Sequence, residues 1–398
     1  MLQQQILVKE MKQVIKKTIK ESKNINDEPL IYTLLVDGNN LMKISSVDKR
    51  MNGKGEEYGI VFQFLWQLHK LLQVKDYNFV YVMLDGEKSG QLRYNFYQDY
   101  KANRDKNYEL SGSKSEYDKQ IDAYVKKVLY YSRNKHKQQE TVRGETEEES
   151  FERQKLILKQ ILEELFVRVC EYDEVEGDDL IAHYVKNKKS NERVVIVSGD
   201  RDLTQLINDE VCVYIPSLKK YISPKNHIQE LGYTHENVLI KKILCGDSSD
   251  NIKGIKGMGD KTFFSLFPDA KTKKYTLDDI FVETKKNIEE RLKNKQKPLQ
   301  VTENILNKVT LGSQGDKIYE INDKIINLSN PLLTKEAKEE LDNIMYAPLD
   351  PEGRDLKNIY QIIQENEMND MLDEKKFGNL FAAFYKLIDT EKKYFKNI

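Results

Sequence analysis

Carboxylates recur in this chain at positions suited to holding divalent cations. VDGNN (36–40) and LDG (84–86) each set an aspartate, Asp37 and Asp85, before a glycine. A glycine there lets the backbone turn sharply and leaves the carboxylate standing clear. DEVEGDDLIAHYV (173–185) carries Glu176, Asp178 and Asp179, and SGDRDLTQL (198–206) carries Asp200 and Asp202 on either side of Arg201. CGDSSDNIKGIKGMGDKT (245–262) adds Asp247 and Asp250 three apart, a spacing that aims both the same way on one helical turn or tight loop. Each motif alone also fits a plainer role. Asp-Gly is an ordinary turn dipeptide, and acidic residues suit helix N-termini. Three carboxylates within residues 176–179 exceed what a cap needs, and they repel one another unless cations lie between them. Together these residues form an all-oxygen donor set without His or Cys, which selects Mg²⁺ or Mn²⁺ over Zn²⁺. Two such ions about 4 Å apart can activate a water and stabilise the leaving oxygen of a phosphodiester.

Two further stretches carry phosphate-binding chemistry. Gly254, Gly257 and Gly259, followed by Lys261 and Thr262 and flanked by Lys253 and Lys256, predict a tight hairpin opening into a helix. The first N–H groups of such a helix can meet phosphates, although a plain turn has the same composition. The Walker A spacing is absent. In QLRYNFYQDYKANRDK (91–106), Arg93, Lys101 and Arg104 interleave with Tyr94, Phe96, Tyr97 and Tyr100. Cations that clamp phosphates beside rings that stack bases suit a single strand; an amphipathic helix would use the same rings as core contacts.

Something must bring these motifs together. The apolar runs IYTLLV (31–36), NFVYVML (78–84) and RVVIVSG (193–199) each end at an acidic residue. Short aliphatic runs separated by helical stretches (58–73, 153–166 and 178–188) predict buried parallel strands of an α/β sheet flanked by helices. In open sheets of this kind the ligand site lies beyond the carboxyl ends of the strands, where Asp37, Asp85 and Asp200 would converge. Residues 105–150 are rich in Lys, Glu, Ser, Tyr and Gln and poor in aliphatics, and read as a solvated insertion ending in an acidic run. The expected organisation is an N-terminal helical extension (1–30), an α/β domain (31–223) with an insertion at about 93–150, a small helical module with the glycine hairpin (224–270) and a charged helical region (271–398).

Composition narrows the class. Of the 398 residues, 32% are charged, yet the formal net charge is −1; acidic motifs set among basic stretches suit a metal site that faces phosphates. The three cysteines, Cys170, Cys212 and Cys245, lie far apart, which argues against a disulfide framework or a cysteine zinc site and for a reducing interior. No apolar run reaches the length of a membrane span, and the Lys-rich N-terminus lacks a signal peptide's apolar core.

The strings VDGNN, LDG, YKANR, EGDDLIA, SGDRDLTQL and GDSSDNIKGIKGMGDKT, in this order, resemble the 5′-nuclease family of flap endonucleases and 5′→3′ exonucleases, above all its small stand-alone bacterial and phage-type members. The resemblance covers roughly residues 30–270. It implies a helix–three-turn–helix module that grips duplex DNA, a helical arch and two divalent ions. It implies that Asp37, Asp85, Glu176 and Asp178 form the tight metal site, and that Asp179, Asp200, Asp202, Asp247 and Asp250 form the second, some of them through water. Lys101 and Arg104, with Arg93 nearby, would steer the scissile phosphate. Gly254, Gly257 and Gly259 would form the hairpin, which in the family can also hold K⁺. The implied partners are 5′ flaps, junctions, free 5′ ends, RNA–DNA hybrids and replication proteins, met by a monomer.

Rival readings come from other classes. A haloacid-dehalogenase-like phosphatase also places Asp at strand ends but needs a D-x-D motif, and Asn39 stands where its second Asp belongs. A catalytically idle junction binder would have lost carboxylates. A PIN-like ribonuclease would lack the glycine hairpin.

Overall fold

The computed structural model describes residues 30–102, 145–350 and 352–396. Residues 1–29 of the N-terminal extension, and residues 103–144 of the expected insertion with Arg104 among them, lie outside the described residues.

Six strands form one sheet: β1 (Ile31–Asp37), β2 (Phe79–Asp85), β3 (Arg168–Tyr172), β4 (Glu192–Val197), β5 (Val211–Ile215) and β6 (Lys220–Ile222). Their spatial order is β3-β2-β1-β4-β5-β6. The first five pair in parallel, and β6 returns antiparallel to β5. The parallel α/β expectation holds, with one antiparallel edge strand added. The aliphatic runs became central strands because β1 and β2 are covered on both faces, leaving their backbones no water to bond. β3 escaped sequence reading because Arg168 interrupts its short apolar run.

The sequence order of strands reverses at β1, whose neighbours are β2 on one side and β4 on the other. The connections on the two sides leave in opposite directions, and a crevice opens above the carboxyl ends of β1, β2 and β4. Helices α1 (Gly38–Ser45), α2 (Gly59–Val74), α3 (Glu147–Glu164) and α4 (Gly177–Asn187) belong to this domain. The acidic run at 147–149, expected at the end of the insertion, is instead the first turn of α3. Thr146 and Glu149 form a capping box there, and the negative charge suits the positive end of the helix dipole.

The sheet separates two cores. On one face Phe64, Leu65 and Leu68 of α2 meet Leu34, Val80 and Val82; on the other Leu180, Ile181 and Tyr184 of α4 meet Leu35, Tyr81 and Met83. Helices α5 (Val238–Cys245), α6 (Asp260–Leu266), α7 (Leu277–Lys293) and α8 (Ile318–Ile326) build a third cluster beside them, with Leu244, Phe263, Ile280 and Ile318 in contact. The boundary drawn at residue 270 therefore does not divide cores. Nor is the region beyond it an appendage. Helices α9 (Lys335–Ile344), α10 (Leu356–Glu365) and α11 (Glu374–Lys396) follow. Ile359, Ile363, Phe381 and Phe384 complete the α2 face, while Leu341 and Tyr394 complete the α4 face. Arg168 of β3 donates to both carboxylate oxygens of Glu391 on α11, at 3.0 and 2.9 Å, in a buried pair.

Candidate active site

The VDGNN turn ties the three central strands together. Asp37 caps α1, accepting from the Asn40 amide at 3.0 Å, and its other oxygen accepts from Ser198 Oγ at 2.6 Å. Asn39 accepts from the Asp85 amide at 3.1 Å and donates back to the Asp85 carboxylate at 3.1 Å. Asn40 accepts from the Gly199 amide at 2.8 Å. Asp85 also accepts from the Gly177 amide at 2.8 Å, which brings the start of α4 to the end of β2. Gly86 lets the end of β3 approach as well: a Cβ there would stand 1.7 Å from the Tyr172 carbonyl oxygen. In SGDRD, Asp200 accepts from the Asp202 amide at 2.8 Å, so this loop curls over its own carboxylate.

These contacts bring Asp37, Asp85, Asp178 and Asp200 within electrostatic reach of one another. Burial, with the charges of Asp200 and Asp85, pushes the Asp37 carboxyl up to about 7, against the pull of its bonds from Ser198 and Asn40. Burial and the charges of Asp37, Asp200, Asp85 and Glu176 push Asp178 well above the usual carboxylate range. Crowded carboxylates favour the neutral form when no cation separates them.

Elsewhere in the crevice the chain supplies its own cations. Glu176 lies 2.7 Å from Arg93, pairs with Lys101 and accepts from Tyr100 Oη. Burial opposes its ionisation, but Arg93 and Lys101 outweigh burial and hold it below its ordinary value. Lys242 of α5 pairs with Asp202 and, at 2.5 Å, with Asp247. Asp247 also accepts from the amide and hydroxyl of Ser249, at 2.8 and 2.6 Å. Burial works against its charge, but Lys242 and Ser249 hold the carboxyl down at about 2. Asp202 is pushed up to about 7 by burial, with Asp200 and Asp247 adding to the effect and Lys242 opposing it. Asp250 joins through Tyr100 Oη, which donates to it at 3.3 Å. Its carbonyl accepts from the Lys101 amide at 2.9 Å. Lys101 itself is held at φ 55°, an uncommon conformation for a side-chain-bearing residue. Among the described residues, no three side chains of His, Cys, Asp or Glu close into a ready-made metal cage; Arg93, Lys101 and Lys242 occupy oxygens that such a cage would need.

Several expected roles need correcting. Asp179 is 1% exposed, pairs with Arg93 through both guanidinium nitrogens, and accepts from the Leu332 amide at 2.9 Å. Its oxygens are committed to neighbours, not to the crevice. Arg93 is likewise buried; besides Asp179 and Glu176 it donates to the Ile325 carbonyl at 2.8 Å, so it positions carboxylates and does not reach for phosphate. Tyr97 and Tyr100 pack against Ile252, Ile325 and Ile326, because these rings fill the gap between the sheet domain and α8. They have no face to offer a base; the exposed rings of that stretch are Tyr94 and Phe96.

The hairpin exists, built on β7 (Gly246–Asp247) and β8 (Ile252–Lys253) and continued through Gly257 to α6. Gly257 takes φ +85°, and a Cβ on Gly254 would lie 2.3 Å from the Leu244 carbonyl oxygen. Gly259 is extended with open space around it, so the fold does not demand a glycine there. Lys256 and Lys261 are exposed and Thr262 is half-buried. The hairpin's carbonyls are already engaged: Lys253 accepts from Gln314 and Asn322, both at 3.0 Å, Gly254 from Thr310 at 2.9 Å and Lys256 from Asn304 at 2.8 Å. These bonds fix the carbonyls of Lys253, Gly254 and Lys256 in place.

Comparison with known proteins agrees with this geometry. Residues 32–233 match the model of the 5′-3′ exonuclease N-terminal resolvase-like domain. The chain belongs to this 5′-3′ exonuclease family. It is 28% identical over 269 residues to the thermostable DNA polymerase I of Thermus caldophilus, covering 67% of this chain and 27% of that protein. It is 33% identical over 192 residues to the 5′-3′ exonuclease of Mycoplasma pneumoniae, covering 46% of this chain and 63% of the relative. The chain thus spans about a quarter of the polymerase and less than two thirds of the exonuclease. Among solved structures, T5 5′-exonuclease bound to divalent metal ions (zinc) superposes with a TM-score of 0.50 at 16% identity, over 78% of this chain and 97% of that one; this likeness is one of fold. Among the described residues, no helix is long and apolar enough to cross a membrane.

Within this 5′-3′ exonuclease fold, sequence reasoning passed over four residues. Asn39, Asn40 and Ser198 hold carboxylates or strand ends in place, and Lys242 bridges Asp202 and Asp247. The one available signal was Asn39–Asn40 so soon after Asp37, because Asn beside a strand-end Asp is suited to bonding backbone in a tight turn. Lys242 sits among ordinary helical residues and carried no signal.

Proposed function

We propose that this chain is a metal-dependent, structure-specific 5′ nuclease that hydrolyses DNA phosphodiesters near free 5′ ends, flaps or strand junctions. The reading rests on one observation: Asp37, Asp85, Asp178 and Asp200 share a crevice in which burial and mutual repulsion push Asp37 and Asp178 upward. Such a set fits hard divalent cations, whose charge relieves the repulsion. Asp37, Asp85, Asp178 and Glu176 would hold one Mg²⁺ or Mn²⁺, and Asp200, Asp202, Asp247 and Asp250 the other. When bound, the ions supply an activated water and charge stabilisation at the leaving oxygen.

The chain's own residues do the rest. Lys101, held in its unusual backbone conformation by Asp250, pairs with Glu176 and would turn its ammonium from that carboxylate to the scissile phosphate. Asn39, Asn40 and Ser198 keep the carboxylates aligned, and Arg93 stiffens Glu176. The hairpin, with Lys256 and Lys261 exposed, grips duplex backbone without reading bases. This grip suits flap removal and the removal of RNA from RNA–DNA hybrids during replication or repair, by a monomer acting with replication proteins. The carboxylates are all present, which disfavours an idle junction binder.

A three-substrate assay tests the reading: a 5′-flap DNA, an RNA strand and a small phosphate ester, each with and without Mg²⁺. Mg²⁺-dependent cleavage of the flap DNA is expected. Hydrolysis of the ester alone would favour a phosphatase, and binding of the flap without cleavage an idle binder.

A further inference from the structure

The ammonium of Lys242 is in direct contact with two carboxylates of the crevice, and the chemistry proposed above makes no use of it. It comes from α5, five residues ahead of Asp247. The chain reverses at Gly246, where φ is +76° and a Cβ would fall 2.4 Å from the Ile252 carbonyl oxygen. This reversal folds the lysine back over the carboxylate that follows it. The side chains of Lys242, Asp202 and Asp247 are 19%, 22% and 12% exposed, so the group is largely withdrawn from water, where ion pairs are screened less.

The two halves of the crevice consequently differ. Around Asp178 the neighbouring charges are the carboxylates of Asp37, Asp200, Asp85 and Glu176. At Asp202 and Asp247 an internal ammonium already stands between the two acids. In the first half Arg93 and Lys101 hold Glu176 at its edge, while Asp37 accepts from the Ser198 hydroxyl and not from an ammonium. An ion entering the second must first break two ion pairs.

We propose that Lys242 is a resident counter-cation of the Asp202–Asp247 pair, and that it must swing out before a divalent ion can be held there. The proposal rests on the nuclease reading of this site and gives a cause for weaker binding at its second position: an ion held by Asp202 and Asp247 has to displace Lys242. In the metal-free protein Lys242 keeps the second pair from repelling, so the fold is held together until the ion arrives.

The test is ion binding by the full chain without DNA, using calorimetric titration with Mg²⁺ and counting of bound Mn²⁺ by electron paramagnetic resonance. Wild type should take one ion tightly and one weakly. Lys242→Met removes the charge while keeping length, and should tighten the weak step about tenfold or more with the tight step unchanged. Lys242→Arg keeps the charge and should resemble wild type. An amine-reactive label read by mass spectrometry needs no variant: Lys242 in wild type should be protected without metal and become reactive at saturating Mg²⁺. Unchanged binding steps in Lys242→Met, equal tightening in Lys242→Met and Lys242→Arg, or labelling indifferent to Mg²⁺ would overturn the role of Lys242 while leaving the nuclease reading standing. If none of the proteins binds divalent ions, the nuclease reading falls and this proposal falls with it.

Discussion

Asp37 and Asp247 lie in the same crevice at opposite ends of the electrostatic range, one raised to about 7 and the other held near 2. Burial raises both; at Asp37 the carboxylates of Asp200 and Asp85 add to it, whereas at Asp247 Lys242 and Ser249 overcome it. This sets the pH dependence of the metal-free fold. Between 3.8 and about 7 the unfolded chain has released the Asp37 proton while the fold retains it, so stability falls as pH rises through that window. Asp247 and Glu176, both lowered, act with the opposite sign: their contribution is present above the ordinary carboxylate range and disappears in acid. The metal-free protein should therefore melt highest at mildly acidic pH and lower at pH about 8. Saturating Mg²⁺ should recover most of that loss, since a ligand at a hundred times its Kd adds about 2.7 kcal/mol. Calorimetry in chelator and in Mg²⁺ checks both; a melting temperature that climbs steadily toward pH 8 in chelator would contradict the crowding of Asp37 and Asp178. Asp200 touches both halves of the crevice electrostatically. Asp200→Ala should cut flap cleavage by at least about a hundredfold, the scale of losing one preorganised electrostatic contact, while duplex binding persists in a gel-shift assay. Normal turnover would remove Asp200 from the site.

Among the elements, the hairpin shows how one glycine pattern contains different demands. Gly257 needs its positive φ, whereas Gly259 is extended and open. Gly257→Val with Lys261→Ala should weaken duplex binding and lower the slope of log affinity against log salt by about one, as expected for a lost phosphate contact. Gly259→Ala should bind duplex as wild type does. A salt titration on a blunt duplex separates the two variants, and equal behaviour would argue against the hairpin as the grip.

At the scale of the molecule, the C-terminal helices cover both faces of the sheet. Phe384 is 1% exposed beside the residues of α2. Phe384→Ala should cost about 3–5 kcal/mol, the usual range for emptying a buried ring, although the ring lies outside the carboxylate site. Urea unfolding measures this. A cost under about 1 kcal/mol would mean that α11 is only loosely docked. The chain beyond 270 is thus part of what keeps β1, β2 and β4 aligned under the crevice.

The sequence alone determined the strands that end in Asp37 and Asp85, the strand leading to Asp200, and the carboxylate motifs themselves. Aliphatic runs of this length report burial directly, and a carboxylate at the end of each run is costly to bury without a cation or a cap to meet it. The sequence also marked the glycine turn before α6. Tertiary structure alone decided what each charge does. Asp178 and Asp179 are adjacent in sequence, yet one faces the crowded crevice and the other is tied to Arg93. Tyr97 and Tyr100 read equally well as stacking rings or core, and only their packing on Ile252 and Ile325 made them core. Lys242 carried no sequence signal because its partners lie 40 residues before it and five after it. Composition and period record which residues are buried or turned. Which charge pairs with which depends on distances that arise only when separate elements meet.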